Sequence, residues 1–442
     1  MDAVFFMELL VVILAIAIGA RWGGLGMGVA GGFGLGFLVF GFGMKPASPP
    51  ISVMLIMAAV LTCVSVLQGS GGLDYLVGIA EKILRRNPRH ITFVAPLICF
   101  CFTLFCGTGY VAFSVFPVVA EVAIGARVRP ERPLTMSVIG AQAACTGSPM
   151  AAATAALIGF LAVKGVTPGQ IFAVCIPAGF IAVIVGSLFM YKKGKELSED
   201  PVFQEKLRTG DFKDVVAEEK AEVAVPAETK RAVWIFALCI AVVVFYGSFP
   251  SLLPSWESGG KVTKLNIPYM VQICMLFFAC LIMIIGRVPS HKLANGSVFR
   301  AGMIGMVAVY GVAWLTSTFF NLYKPLFVAE FGQMFSNYPA LFCLGFFFLS
   351  SVTLSQGATT AALVPVAMGL GIDASDIVWM WPACNGYFVI PAGGSIIACI
   401  AFDRTGTTGI GKYVLNHSYM LPGLVTTSSQ VLAAFVISRF VF

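Results

Sequence analysis

The feature that most constrains this chain is the recurrence of apolar runs close to 20 residues long, from one end to the other. A run of that length crosses a bilayer as a helix, because each residue advances about 1.5 Å and the hydrocarbon core is about 30 Å thick. Of the 442 residues, 58% are hydrophobic and 11% charged. A soluble domain carries roughly 25% charged residues, so no soluble fold hides this much apolar surface. A membrane barrel would show alternating strands of about ten residues instead. The chain therefore reads as an all-α polytopic membrane protein. Its first run carries Asp2 and Glu8 and meets a basic residue, Arg21, only at its end. A cleaved leader has the reverse arrangement, so this run reads as a span.

Charge and cysteine content exclude several function classes. A net charge of +7 is small for this length and fits basic loops on one side of a membrane, so no nucleic-acid partner is expected. The twelve cysteines lie mostly within apolar runs and read as small buried hydrophobes. Cys99, Cys101 and Cys106 cluster with no histidine or carboxylate beside them, so no metal site is expected. The stretch "GTTGIGKY" at 406–413 approaches a phosphate-binding loop, but Tyr413 stands where Ser or Thr must hold magnesium. His90, His291 and His417 sit at loop edges and form no catalytic set, so the chain is not expected to be an enzyme.

Two halves follow one order. In the first, spans near 3–20, 24–43 and 51–69 precede a charged amphipathic segment at 71–89. Next come 91–124, broken at Gly107-Thr108-Gly109, then 134–163, broken at Thr146-Gly147-Ser148-Pro149, and a plain span at 168–191. A polar stretch at 192–231 carries nine Lys/Arg and ten Asp/Glu and reads as a solvated cytoplasmic connector. In the second half, spans near 232–250, 266–286 and 301–320 precede a short segment at 323–336. Then come 338–370, broken at Ser355-Gln356-Gly357, 376–402, broken at Pro391–Ser395, and a final span near 418–440. Pairing Pro117 with Pro365 also pairs Gly107 with Ser355 and Gly109 with Gly357 at one offset of 248, a weak internal repeat of the kind transporter folds show. The first repeat is thus 1–191 and the second 232–442.

Reading 91–124 and 338–370 as re-entrant hairpins puts 22 of the 28 basic residues on one side. The positive-inside rule then gives ten full crossings, periplasmic termini and inverted repeats. Irregular backbone at membrane depth survives only inside protein or against a watery cavity, so the four breaks predict one central cavity. Each break leaves a half-helix with free, partly positive N–H groups, which suit carboxylates. Glycine permits close approach, and hydroxyls add donors. The candidate ligand residues are Gly107, Thr108, Gly109, Thr146, Gly147, Ser148 and Pro149 in one half. In the other they are Ser355, Gln356, Gly357, Thr359, Pro391, Gly393, Gly394 and Ser395. Gln142 and Asn385, just before broken segments, are candidate side-chain donors. Glu8, Glu121 and Asp403 lie near span ends, and no proton path is assigned. The glycine run at 23–43 reads as close helix packing.

Long strings across the whole chain carry a resemblance. They include "GARWGGLGMGVAGG" (19–32), "CGTGYVAFSVFPV" (106–118), "RPERPLTMSVIGAQ" (129–142), "FRAGMIGMVAVYGVAW" (299–314) and "FDRTGTTGIGKYVLNHSYMLPG" (402–423). The chain resembles the anaerobic C4-dicarboxylate transporter family, the Dcu proteins of bacteria, and "RPERP" resembles its fumarate–succinate exchange branch. The resemblance implies an inner-membrane carrier that exchanges fumarate for succinate, with malate and aspartate as further substrates. It implies no cofactor. The family is grouped with the ion-transporter superfamily, whose members have inverted repeats with paired re-entrant hairpins and are commonly dimers, so a homodimer is implied. Hairpin tips there carry Ser-Asn-Thr, whereas this chain has Gly107–Gly109 and Ser355–Gly357, which leaves the coupling ion open between none, proton and sodium. The family usually has Leu-Pro-Thr-Tyr-Pro-Ser where this chain reads Ile390-Pro391-Ala392-Gly393-Gly394-Ser395. Its Ala-rich form is replaced here by "SQGATTAAL". A cation-coupled symporter of another carboxylate or amino acid is the first alternative, separated by sodium dependence. A transporter-like sensor with a membrane-kinase partner is the second, separated by binding without flux.

Overall fold

The computed structural model describes residues 3–22, 25–49, 51–109, 112, 115–209, 225–258, 261–391, 394–410 and 416–442. Helices dominate, and their bounds follow the apolar runs. In the first half α1 (Ala3–Trp22), α2 (Leu25–Gly36, extended by a π-helical turn over Phe37–Gly41) and α3 (Ile51–Gly69) lead to the amphipathic α4 (Gly72–Arg86). Gly71 takes a φ of 76° between α3 and α4, and the two helices meet at a 69° bend. Then come α5 (Ile91–Cys106), α6 (Phe116–Gly125), α7 (Glu131–Cys145), α8 (Ala152–Leu161) and α9 (Pro168–Met190). Thr167 and Gln170 form a reciprocal capping box at the start of α9, which fixes where that helix begins.

The connector contributes α10 (Pro201–Thr209). The second half holds α11 (Ala227–Ser248), a short antiparallel hairpin of β1 (Ser255–Ser258) and β2 (Lys261–Lys264), and α12 (Ile267–Gly286). It continues with α13 (Ser297–Asn337), α14 (Phe342–Thr353), α15 (Gln356–Gly369), α16 (Ala374–Met380), α17 (Gly394–Phe402) and α18 (Met420–Val441). Among the described residues six helices are each long and apolar enough to cross a membrane, and α3 with α4 makes a seventh if the bent pair is one span.

Three sequence expectations change. The segments expected separately at 301–320 and 323–336 form the single helix α13, with Pro325 inside it. The connector is more than a solvated strand of chain at its start. Arg132 is 5% exposed and donates to the carbonyls of Lys193 (2.8 Å) and Gly194 (3.1 Å) and to Glu196 (2.8 Å). Arg129 joins Glu131 and Asp200, and Leu197 and Phe203 pack with Ile124. The third change concerns the second broken span. It unwinds at Trp381, ten residues before the expected Pro391, through two 3-10 turns at Trp381–Cys384 and Gly386–Phe388. Pro382 has no N–H for an α-helical bond, and Asn385-Gly386 is a turn pair, so the local chemistry favours this stop.

Packing brings the breaks together. α5 lies along α7 and α9, α18 lies along α9, and α15 packs between α13 and α8. The glycine run serves close packing, as expected. A Cβ on Gly31 of α2 would stand 2.5 Å from the Gly311 carbonyl carbon of α13 and 2.7 Å from its oxygen. Backbones this close gain dispersion contacts along their whole crossing, which is how membrane helices associate where water is absent.

Candidate functional site

The site forms around the C-terminal end of α7. A helix leaves its last four carbonyls without intrahelical partners, here those of Gln142, Ala143, Ala144 and Cys145. The end of α7 is buried among other helices where water cannot serve them, so each must find a protein donor. All four do. Gln356 Nε2, at the start of α15, donates to the Gln142 carbonyl at 2.9 Å. Gln430 Nε2, from α18, donates to the Ala143 carbonyl at 3.1 Å, and the Thr146 hydroxyl donates there at 2.8 Å. The Gly147 N–H donates to the Ala144 carbonyl at 3.0 Å. Thr154, from α8, donates to the Cys145 carbonyl at 2.8 Å.

The donors also join one another. Gln356 Nε2 donates to Asn385 Oδ1. Asn385 Nδ2 donates to Gln430 Oε1 at 3.1 Å, and Gln430 Nε2 donates to the Thr146 hydroxyl at 2.9 Å. Gln356, Asn385, Gln430 and Thr146 are all buried. The result is a neutral chain of amides running from the start of α15, through the unwound segment after α16, to α18 and the break after α7. Both halves of the sequence contribute to it.

The two tips behave alike. Gly107 closes α5 with φ 73°, and Leu354 closes α14 with φ 51°, so each first arm ends in one left-handed residue. Only glycine fits at 107, because a Cβ there would overlap the Met150 carbonyl. That contact seats the tip of α5 on the turn leading into α8. Gly109 lies against Gln142, whose Nε2 would be 2.8 Å from a Cβ at 109. Thr108 is half-buried beside it. At the other tip, Ser355 caps α15 by accepting from the Ala358 N–H at 3.2 Å, and Thr359 shares a 3.0 Å hydrogen bond with Thr353. Gly357 is half-buried in the first turn of α15.

The expected residues separate into two groups. Thr146, Gln356 and Asn385 meet in the amide chain, and Gln142 joins it through its backbone carbonyl rather than as the expected side-chain donor. Gly109 lies against the Gln142 side chain and Gly107 against Met150. Gly147 faces Ile176 and Cys175 of α9. The Ser148 hydroxyl donates to the Leu104 carbonyl at 2.6 Å and accepts from the Met150 N–H at 3.1 Å, which braces α5 against the turn. Pro149 is buried in that turn. Pro391 and Ser395 are buried at the start of α17, whose first residue is Gly394. No hydrogen bond of the amide chain involves those three, and Gly393 lies outside the described residues. The second broken span therefore enters the network through Asn385.

Gln430 is the member that sequence reasoning missed. Its signal was present: "TTSSQ" at 426–430 puts five polar residues in a row inside the last apolar span. The unwound segment around Asn385 is held by further bonds. Trp381 Nε1 donates to the Thr360 hydroxyl at 2.8 Å, and the Gly386 N–H donates to the Ser350 hydroxyl at 2.9 Å.

The carboxylates stand apart from this centre. Glu121 is exposed and 3.6 Å from Arg85. Asp403 accepts from the Thr405 N–H (2.9 Å), the Thr407 hydroxyl (2.9 Å) and the Thr408 N–H (2.6 Å), so it builds the loop after α17. Glu8 is buried between α1 and α13 and accepts from the Tyr323 hydroxyl. Among the described residues no group of histidine, cysteine and carboxylate side chains has metal-binding arrangement.

A chain of neutral amides between half-helices, in a protein with six apolar candidate spans, matches a carrier better than a catalyst. A family model described as an anaerobic C4-dicarboxylate membrane transporter matches residues 4–442. The chain belongs to that family. It is 38% identical over 434 residues to the anaerobic C4-dicarboxylate transporter DcuB of Escherichia coli, with 96% of each chain covered. It is 36% identical over 433 residues to the C4-dicarboxylate transporter DcuA of Wolinella succinogenes, with 98% of each covered. It is 37% identical over 436 residues to DcuA of Escherichia coli K12, with 98% of this chain and 99% of the relative covered. These identities are too near one another to place the chain in either branch. Two solved structures share the fold. The YdaH transporter of Alcanivorax borkumensis aligns with a TM-score of 0.52 at 16% identity, over 89% of this chain and 85% of that one. MtrF of Neisseria gonorrhoeae aligns with a TM-score of 0.55 at 14% identity, over 92% and 84%. The protein is a membrane transporter of the C4-dicarboxylate family and not an enzyme.

Proposed function

We propose that this transporter carries fumarate, succinate, malate and aspartate across the bacterial inner membrane by antiport, with the amide chain at the core of the substrate site. The observation that carries the reading is the junction of Gln142, Thr146, Gln356 and Asn385 at the breaks of both halves, in a chain that matches the family along its length. A dicarboxylate offers acceptors only, and amides and hydroxyls are donors that need no charge to meet it. The starts of α8 and α15 add partly positive N–H groups, each end contributing about 0.3–1 kcal/mol to an anion. The end of α7 has the opposite polarity, and its carbonyls are covered by protein donors, which removes the groups that would repel the substrate.

In this reading α5 with α6, and α14 with α15, are hairpins that enter and leave by one side. The broken spans α7–α8 and α16–α17 cross between them, ten crossings result, and both termini are periplasmic. Alternating access then rocks one repeat against the other about the central site. Exchange of one dianion for another requires no coupling ion, in keeping with a centre built of neutral side chains. Proteoliposomes loaded with succinate test the assignment. Labelled fumarate is expected to enter them well above the level in empty liposomes. Equal uptake in both would sink the substrate and the exchange mode together.

A further inference from the structure

We propose that Gln430 is a positioning residue of the transport site, tying the unwound segment at Asn385 to the break after α7. This rests on the substrate reading above. Gln430 belongs to neither hairpin and neither broken span, yet α18 delivers its amide to the gap between the break after α7 and the unwound segment at Asn385. It is completely buried.

The direction of an amide chain is decided by groups that cannot change role. A backbone carbonyl only accepts. The Ala143 carbonyl therefore requires the Nε2 end of Gln430, at 3.1 Å. The Oε1 end must then face Asn385, which answers with its Nδ2 at 3.1 Å. Asn385 in turn has Oδ1 left for Gln356, whose Nε2 is held from the other side by the Gln142 carbonyl at 2.9 Å. Consecutive carbonyls of α7 thus anchor both ends of the chain, and the two anchors agree on one orientation. Removing Gln430 leaves Gln356 to hold Asn385 from one side only, takes the acceptor from Asn385 Nδ2, and leaves the Ala143 carbonyl with the Thr146 hydroxyl alone. The unwound segment at Asn385 and the break after α7 then lose the side chain that ties them together at a fixed separation.

Two substitutions separate positioning from mere packing. Gln430→Leu keeps the bulk and removes both polar ends. Gln430→Glu keeps an oxygen toward Asn385, but it can donate to the Ala143 carbonyl only when protonated. Both are made in the full chain and compared with wild type at each pH. For Gln430→Leu, the KM for fumarate counterflow is expected to rise about tenfold or more. For Gln430→Glu, the deficit in kcat/KM is expected to be large at pH about 8 and to shrink as pH falls toward about 5.5, where a buried carboxyl regains its proton. The same variant has a ligand-free readout, the thermal midpoint of the purified protein. A carboxylate facing carbonyls has its pKa raised by the fold, so the lost stability returns as pH falls through that raised value. A wild-type KM in Gln430→Leu would overturn the proposal. So would a Gln430→Glu deficit that is constant with pH in both transport and thermal midpoint. If wild type fails to exchange fumarate, the substrate reading falls. The ligand-free midpoint still decides whether Gln430 ties the network to the Ala143 carbonyl.

Discussion

Individual side chains here are chosen by the partners the backbone leaves them. His417 illustrates this outside the spans, in the loop between α17 and α18. It is buried, and its Nδ1 accepts the Tyr419 N–H at 3.2 Å. Burial pushes the His417 pKa below the ordinary histidine value. A hydrogen bond with the Val389 backbone opposes this, and the charge of Lys193 adds to the lowering. The folded protein therefore holds a neutral ring where the unfolded chain would take up a proton. Stability from this group is complete above the ordinary value of about 6.5 and is lost as pH falls below it. A His417→Asn variant keeps an acceptor near the Tyr419 N–H and cannot charge. Its thermal midpoint is expected to fall less than that of wild type between pH about 6.5 and 5, and parallel falls would remove His417 as the cause. At this scale the sequence was half legible. Gly107 announced itself as a glycine between apolar runs. Gln430 was marked only as the last of five polar residues in an apolar span, and only the position of α7 shows which carbonyl it serves.

Among the elements, α7 is the one whose end organises the others. The turn 146–149 was legible as a break because Thr-Gly-Ser-Pro cannot continue a helix cheaply. Only the end of the second break, at Pro391, was legible, since the apolar Tyr387–Ile390 run hides a chain already unwound by Pro382 and Asn385-Gly386. The fused α13 was misjudged for another reason: the segment at 323–336 is less apolar than the span before it, yet one helix runs through both, Pro325 included. Thr154 tests the claim that α7 needs every carbonyl covered. Its hydroxyl is the donor to the Cys145 carbonyl, and both lie in the interior. Thr154→Val preserves shape and deletes that donor, so the carbonyl is left dry at a cost of about 1–3 kcal/mol. The thermal midpoint should drop accordingly, while Thr154→Ser should restore most of it. Equal losses in Val and Ser would point to packing of the methyl group rather than to the hydrogen bond.

Taken as a whole, the molecule keeps its charges at its edges and its centre neutral. The ion pairs of Arg129 and Arg132 tie the first part of the connector to the start of α7, and Asp403 organises the loop after α17. The amide chain at the other end of α7 contains only Gln, Asn and Thr side chains. That division was partly visible in sequence, as basic loops and uncharged breaks. The four breaks were expected to meet, but the bonds that join them were not legible, because they depend on how α5, α7, α15 and α18 pack across hundreds of residues. The neutral centre has a consequence for pH. A carrier that binds its substrate through a titrating side chain shows that group's pKa in its rate, and a site of amides has none to show. Between pH about 6.5 and 8, where an ordinary or perturbed histidine would titrate, fumarate counterflow should therefore vary by less than about twofold once scaled to the dianion. Proteoliposomes buffered equally on both sides, with no pH gradient, give the profile. A sigmoid within that window, absent from the substrate's own titration, would place a titrating group in the transport step.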